Sequence, residues 1–528
     1  MKQIFHIFRK DVRHHWVVIL LCHVALVLYC WEEVSSWSYR ADFGFSAFSG
    51  YIRMLPALAW CFFILRIVQD EPLVGDRQFW ITRPYEWKKL LAEKILLILV
   101  FLNLPLLIAG AVLLTKAGFS PVPHLLGLLW MQFFLFLFPF LPLLALASVT
   151  RTLAPALVTL FAVMLLLVGI AMVPLLLRSN AHTYFGFDIS SPARSNIGSP
   201  ATLVIILVCL VAIGLQYARR KTFQSRLWLV GGLLAMMALD LISAQAARHR
   251  DPFPLPARPT IAFHASLDPI KLSPPKGPVA ENEVVPIGIP IRAWGLPANS
   301  VGEIRGIRVV LEGPGGLRWD GHWLGSMQLL GPDDNRWRAV FEMEPEMYQR
   351  LRNVPLKANV SVSVDVFREH ASETVAATGG EFTVPDVGRC RVWGRGHRAI
   401  RCNSPLQQPS MVVVQVDRAS STCPAEDMVP LEPIYGFPYA WDRGRTSGTE
   451  GGISPVAASY FNFWNFNDRA YICPGTPLNF SFPQFVENVR SDFEIDNVSL
   501  DDYRQANFGS DFMRAADATR LGLPLPSR

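Results

Sequence analysis

Seven apolar runs crowd into the first 250 residues, and they constrain the fold of this chain more than any other feature. They lie at roughly 14–31, 51–68, 95–115, 124–149, 154–177, 201–218 and 227–247. A helix rises about 1.5 Å per residue, so about 20 residues cross a hydrocarbon layer near 30 Å thick. Each run approaches or meets that length. The third to fifth are Leu-rich and nearly free of charge. Arg53 and Arg66 sit near the ends of the second, where long cationic side chains reach back to the interface. The first half is therefore predicted to be a membrane α-helical bundle of about seven transmembrane helices.

Composition agrees with a chain of two kinds. It is 51% hydrophobic and only 17% charged, with a mean hydropathy of +0.27. Soluble proteins carry about 25% charged residues, which argues against a wholly soluble enzyme and against a disordered chain. Residues 1–250 hold 22 Lys and Arg against 11 Asp and Glu, whereas residues 251–528 hold 27 against 32. The basic charge thus sits beside the apolar runs, so the partner it implies is the lipid bilayer and not nucleic acid. With the N-terminus inside, the inner segments and flanks carry 15 Lys and Arg, and the outer ones carry seven: Arg40, Arg53, Lys116, Arg178, Arg194, Arg248 and Arg250. That bias predicts a multi-pass protein of the cell (inner) membrane with a cytoplasmic N-terminus. Seven spans then place residues 251–528 outside. No small-residue cleavage site follows Trp31, so the first run is not expected to be a removable signal peptide. Ile4, Phe5, Phe8 and Val12 fall on one stripe, which predicts a short amphipathic helix over residues 2–13 at the inner interface.

Beyond residue 250 the pattern changes. Residues 251–280 are Pro-rich and read as a linker. Residues 281–528 read as an extracytoplasmic, mostly-β, sandwich-like domain, with a possible second lobe from near 400. Leu356, Ala358, Val360, Val362, Val364 and Val366 alternate with polar residues, as do Trp337, Ala339, Phe341 and Met343 after the turn Gly331-Pro332-Asp333-Asp334. Met411 to Val416 is a further apolar run of strand length. Cys22, Cys30, Cys61 and Cys209 lie within predicted spans and read as small apolar groups. Cys390, Cys402, Cys423 and Cys473 lie in the outer half, where an oxidising compartment predicts two disulfides with three connectivities open. A metal site built on Cys390, His397 and Cys402 is the alternative, without the usual Cys-x-x-Cys spacing.

The inner segment Gln69–Lys94 is longer than a connection between spans requires, so it is expected to form a feature of its own. Pro84 suits the first turn of a helix that runs through Trp87, Leu90, Leu91 and Lys94 into the third span. Interface anchoring by its Trp, Arg and Lys residues is the simpler reading. The run Gly75-Asp76-Arg77-Gln78-Phe79-Trp80-Ile81-Thr82-Arg83-Pro84, followed by Leu90-Leu91-Ala92-Glu93-Lys94, resembles the first cytoplasmic loop of ABC-2-type transporter permeases. Phe8-Arg9-Lys10-Asp11 before the first span and Tyr217-Ala218-Arg219-Arg220-Lys221 after a late one are similar to the same family. The likeness covers residues 1–250. It implies a permease worked by a separate ATP-binding cassette subunit, as a homo- or hetero-dimer of permeases. It also implies that Gly75, Asp76, Arg77, Trp80, Arg83, Pro84 and Lys94 contact that subunit. The seventh span and the large outer domain depart from the family's usual six helices.

The remaining motifs argue against catalysis. The sequence has no G-x-x-x-x-G-K-[ST] phosphate loop and no His-Glu-x-x-His. Gly452-Ile453-Ser454-Pro455-Val456 lacks the second glycine of a nucleophile elbow. No enzyme activity and no cofactor are expected of this chain. Asp240 and His23 are ionisable groups within apolar runs, which makes each a candidate intramembrane polar site or, more simply, a neutral packed group. A membrane-anchored envelope binding or sensor protein, with an unknown envelope partner or substrate, is the alternative function.

Overall fold

The computed structural model describes residues 2–38, 46–70, 86–177, 187–188, 200–249, 253, 260–268, 285–325, 329–331, 335–393, 399–405, 412–416, 434–438, 453–462 and 472–504. The chain forms two compact units that do not follow its order. One joins Met1–Leu165, Asn196–Asp240 and His370–Phe482; the other joins Leu166–Ser195, Leu241–Glu369 and Pro483–Arg528.

Helix α1 (Lys2–Ser38) is a single helix of 37 residues. It contains no Gly or Pro, so nothing separates the amphipathic start from the first span. Of the stripe expected on residues 2–13, Phe8 and Val12 pack partly buried on the helical core. Phe5 is 66% exposed, and the buried line runs through Ile7, Asp11, His15, Ile19 and Cys22. Helix α2 (Ser46–Gln69) packs along α1, and Arg53 reaches Glu33 at 3.6 Å. Helices α3 (Trp87–Ile98) and α4 (Leu104–Lys116) form one rod interrupted by a π turn at Leu99–Asn103. Pro105 has no N–H and its ring would strike the Phe101 carbonyl in a regular helix, so the wider turn relieves that clash. Helices α5 (Leu125–Leu135) and α6 (Leu141–Val149) are likewise joined by a π turn, Phe136–Phe140, which contains Pro139 and is followed by Pro142. Then come α7 (Leu153–Leu177), α8 (Pro200–Gly214) with a π turn at Leu215–Arg219, and α9 (Thr222–His249).

Six of these rods are long and apolar enough to cross a membrane, and Leu153–Leu166 within α7 is a further apolar stretch. Phe63, Ile64, Leu65, Ile67 and Ile98 fill the interior, while Leu126 is 81% and Val158 68% exposed. Apolar side chains turned outward on this scale suit lipid and not water. The helix ends are tied by polar contacts. Arg226 donates twice to the Val149 carbonyl at 2.9 and 3.1 Å, satisfying the C-terminus of α6, and Gln69 Nε2 donates to Thr150 Oγ1 at 2.8 Å.

The second unit is mostly β. It holds β1 (Phe187–Asp188), β2 (His264–Leu267), β3 (Val285–Trp294), β4 (Ser300–Glu312), β5 (Arg318–Gly325), β6 (Leu329–Leu330), β7 (Asn335–Met343), the short helix α10 (Pro345–Leu351) and most of β8 (Leu356–Ala376). Strands β2, β3 and β7 make one antiparallel sheet; β5, β4 and β8 belong to another. Ile287, Ile289 and Ile291 of β3 share a core with Leu311, Phe341, Val360, Val362 and Val364. Both alternations expected from the sequence form strands with that apolar face inward. Asn335 bonds both backbone groups of Gly331 at 2.7 and 2.8 Å; Pro332, Asp333 and Asp334 of the expected turn lie outside the described residues. Near the end of the unit, Tyr348 donates its hydroxyl to Asp501. Burial, with that acceptor, pushes the phenol up to about 12.

Strands β9 (Glu381–Val384), β10 (Gly388–Trp393), β11 (Ala399–Pro405), β12 (Val413–Val416), β13 (Ile434–Pro438) and β14 (Val456–Asn462) belong to the first unit. Strand β15 (Pro477–Val498), like β8, runs from one unit into the other. Cys390 stands opposite Cys402 across β10 and β11, and the two form a disulfide inside an apolar core with Phe382, Val414 and Phe480. This excludes the metal alternative for that pair. Cys473 is also disulfide-bonded, and Cys423 lies outside the described residues. The strands rest on the helices of their own unit. Arg401 donates to the Ser36 carbonyl at the end of α1 at 2.7 Å, and Ile453 and Val456 pack on the helical core. Gly388 has φ +115°, and a Cβ there would lie 2.1 Å from the Asn403 carbonyl oxygen and 2.8 Å from the Phe119 ring, so only glycine lets β10 approach.

Candidate functional site

The stripe of α3 that faces the core reads Leu90, Glu93, Lys94, Leu97 and Ile98. These positions follow helical spacing, so the two charged residues are carried inside by the same periodicity that buries the leucines. On α1, Asp11 occupies the corresponding inward line between Ile7 and His15. Asp11, Glu93 and Lys94 are each 1% exposed or less.

Lys94 Nζ lies 2.5 Å from Asp11 Oδ2 and 3.3 Å from Glu93 Oε2. Lys10, half exposed, stands 3.7 Å from the other Asp11 oxygen. Charges removed from water lose solvation worth several kcal/mol each, so such a group persists only where attraction and hydrogen bonding offset the loss. Here one ammonium faces two carboxylates. The pair clasps the first turns of α1 to the first turns of α3, 83 residues apart in the chain. It also joins two segments singled out in the sequence, Phe8-Arg9-Lys10-Asp11 and Leu90-Leu91-Ala92-Glu93-Lys94.

A second buried polar contact lies deeper. Asn103, the last residue of the first π turn, donates to Gln132 Oε1 at 3.1 Å and to the Gln132 carbonyl at 3.2 Å. Gln132 itself lies one turn before the second π turn. The two irregular helices are thus pinned to each other where their backbones widen, and π turns of this kind recur at functional positions.

Of the residues expected to touch an ATP-binding subunit, Gly75, Asp76, Arg77, Trp80, Arg83 and Pro84 lie outside the described residues. Lys94 is described, and its place is a correction: its ammonium is buried against Asp11 and offers nothing to a docking partner. The helix expected to lead into the third span is present from Trp87. The Asp240 side chain lies outside the described residues. His23 Nδ1 stands 2.7 Å from the Ile19 carbonyl and its ring meets Phe101 edge-on, an ordinary local contact within a helix pair. Sequence reading passed over Asp11 and Glu93 as components. The available signal was a pair of charges inside an otherwise apolar i, i+3, i+4, i+7 stripe.

No protein-family model matches the chain, and no curated protein matches it in sequence.

Proposed function

We propose that this chain is the membrane subunit of an ABC-type transport system, driven by a separate ATP-binding subunit. The observation that carries the reading is the buried Lys94–Asp11 pair. It links the two segments on which the likeness to ABC-2-type permeases rests, and it fixes the root of the segment after α2 to the start of α1. A push on that segment would pass into α1 and the α3–α4 rod together, because breaking the pair leaves buried charge uncompensated.

The charge bias supports the same orientation, with 15 Lys and Arg on one side against seven on the other. On this reading the cluster lies on the cytoplasmic face of the cell (inner) membrane, beside the ATP supply. The opposite ends of α1 and α4, at Ser36 and Phe119, carry the β10–β11 strands, as an extracytoplasmic location of those strands requires. Seven spans, counting α7, satisfy this topology. The outer β region, sandwich-like in the second unit, would bind substrate or an envelope partner. A second permease, identical or different, would complete the assembly by analogy with the family.

The test is capture of the tagged full-length chain in mild detergent, followed by mass spectrometry. The expected result is co-purification of a protein carrying G-x-x-x-x-G-K-[ST]. A second reading, a membrane-anchored envelope binding or sensor protein, is favoured by the separate apolar core of the second unit. Capture that repeatedly yields the chain with no such ATPase would support that second reading.

A further inference from the structure

His14 and His15 of α1 meet Asp70, the residue after α2, in a cluster separate from the Lys94 pair. His14 Nε2 lies 3.3 Å from Asp70 Oδ1 and His15 Nε2 lies 3.7 Å from Asp70 Oδ2. One ligand atom from each residue falls within 4.8 Å of the others, the one such group of three among the described residues. Consecutive residues on a helix point about 100° apart, so two neighbouring histidines do not ordinarily aim at one carboxylate. These two do, with rings 4.8 Å apart and nearly perpendicular at 79°.

The second observation is His15 itself. It is 3% exposed, and its Nε2, turned toward Asp70, has no hydrogen-bond partner. At 3.7 Å the carboxylate is too far to serve as one. A buried polar atom left in this state calls for an explanation, and an ion at its open side is one. The spacing fits. A tetrahedral ion about 2.0–2.1 Å from each ligand holds its ligands roughly 3.3 Å apart; the two imidazole–carboxylate distances, 3.3 and 3.7 Å, are close to this, and all three ligand atoms fall within 4.8 Å. Imidazole nitrogens select transition metals over calcium and magnesium, which take oxygen ligands.

We propose that His14, His15 and Asp70 bind a divalent transition metal of the zinc class, with water in the fourth position. His14 is 55% exposed, which leaves that position open to solvent. The ion would staple α1 to the end of α2, directly before the segment that leads to α3. The site stands on its own geometry and does not rest on the transport reading.

The test uses the full-length chain carrying a tag without histidine, purified in detergent and stripped with chelator. It is titrated with Co²⁺, whose tetrahedral complexes absorb strongly in the visible, and then with Zn²⁺. One Co²⁺ per chain with a tetrahedral spectrum, displaced by Zn²⁺, is expected. His14→Gln and Asp70→Asn should weaken binding by about 10–100-fold or more, while His6→Gln and His23→Gln leave it unchanged. No tetrahedral spectrum in the unaltered chain would overturn the proposal, as would a spectrum that persists in both His14→Gln and Asp70→Asn. Should Asp70→Asn fail to fold, the surface variant His14→Gln and the unaltered chain decide. Capture of an ATPase is a separate readout, so either result can fail alone.

Discussion

Lys94→Met should cost about 3–5 kcal/mol, the loss seen when one partner of a buried ion pair is removed. The substitution keeps most of the length of the side chain and deletes its charge, leaving Asp11 and Glu93 buried without the ammonium that both approach. Lys10 is a poor replacement, being half exposed and 3.7 Å away. A loss of this size is a large share of the 5–15 kcal/mol that holds a typical domain together. It should appear as a lower melting temperature in detergent and a smaller yield of monodisperse protein. The double change Lys94→Met with Asp11→Asn should recover part of the loss, since it removes one of the two carboxylate charges left behind and keeps Glu93. Unchanged stability in Lys94→Met would mean that the pair is not buried as described.

The second large effect concerns Cys390 and Cys402. Their bond closes a loop with a sequence separation of 12, for which chain entropy gives about 3 kcal/mol. Both side chains are fully buried, so reduction requires the β10–β11 hairpin to open first. Alkylation in denaturant without reductant, followed by intact mass, should leave this pair unmodified while Cys22, Cys30, Cys61 and Cys209 react. Replacing both cysteines with serine should lower the stability of the His370–Phe482 strands. Alkylation of Cys390 and Cys402 without reductant would place those strands in a reducing compartment and reverse the proposed topology.

Much of the fold was legible because its physics is local. Leu-rich runs became α3 to α7, and period-two alternation became β7 and the first half of β8. Other features depend on what the sequence pattern omits. The amphipathic start and the first span merge into one helix because residues 2–38 contain no breaker. Pro105 and Pro139 announce an irregularity but not that it takes the form of a π turn. The interleaving of the two units follows from β8 and β15, 21 and 22 residues long, whose polar halves lack the alternation that marks a strand. At the candidate site, Lys94 was visible as a basic residue and was expected at a docking surface. Its partner lies 83 residues earlier, and only tertiary packing shows that the two meet. The cluster at His14, His15 and Asp70 was hidden for the same reason, since Asp70 lies just past the end of the next helix.

The most direct test of the account is a photo-crosslinking residue placed at Trp80 in cells, with a control at Tyr51, which is exposed near the other end of α2. Adducts from position 80, and not from position 51, to a protein with a phosphate loop are predicted. Position 80 yielding only lipid adducts or none, while the protein remains folded in the membrane, would contradict an ATP-driven role.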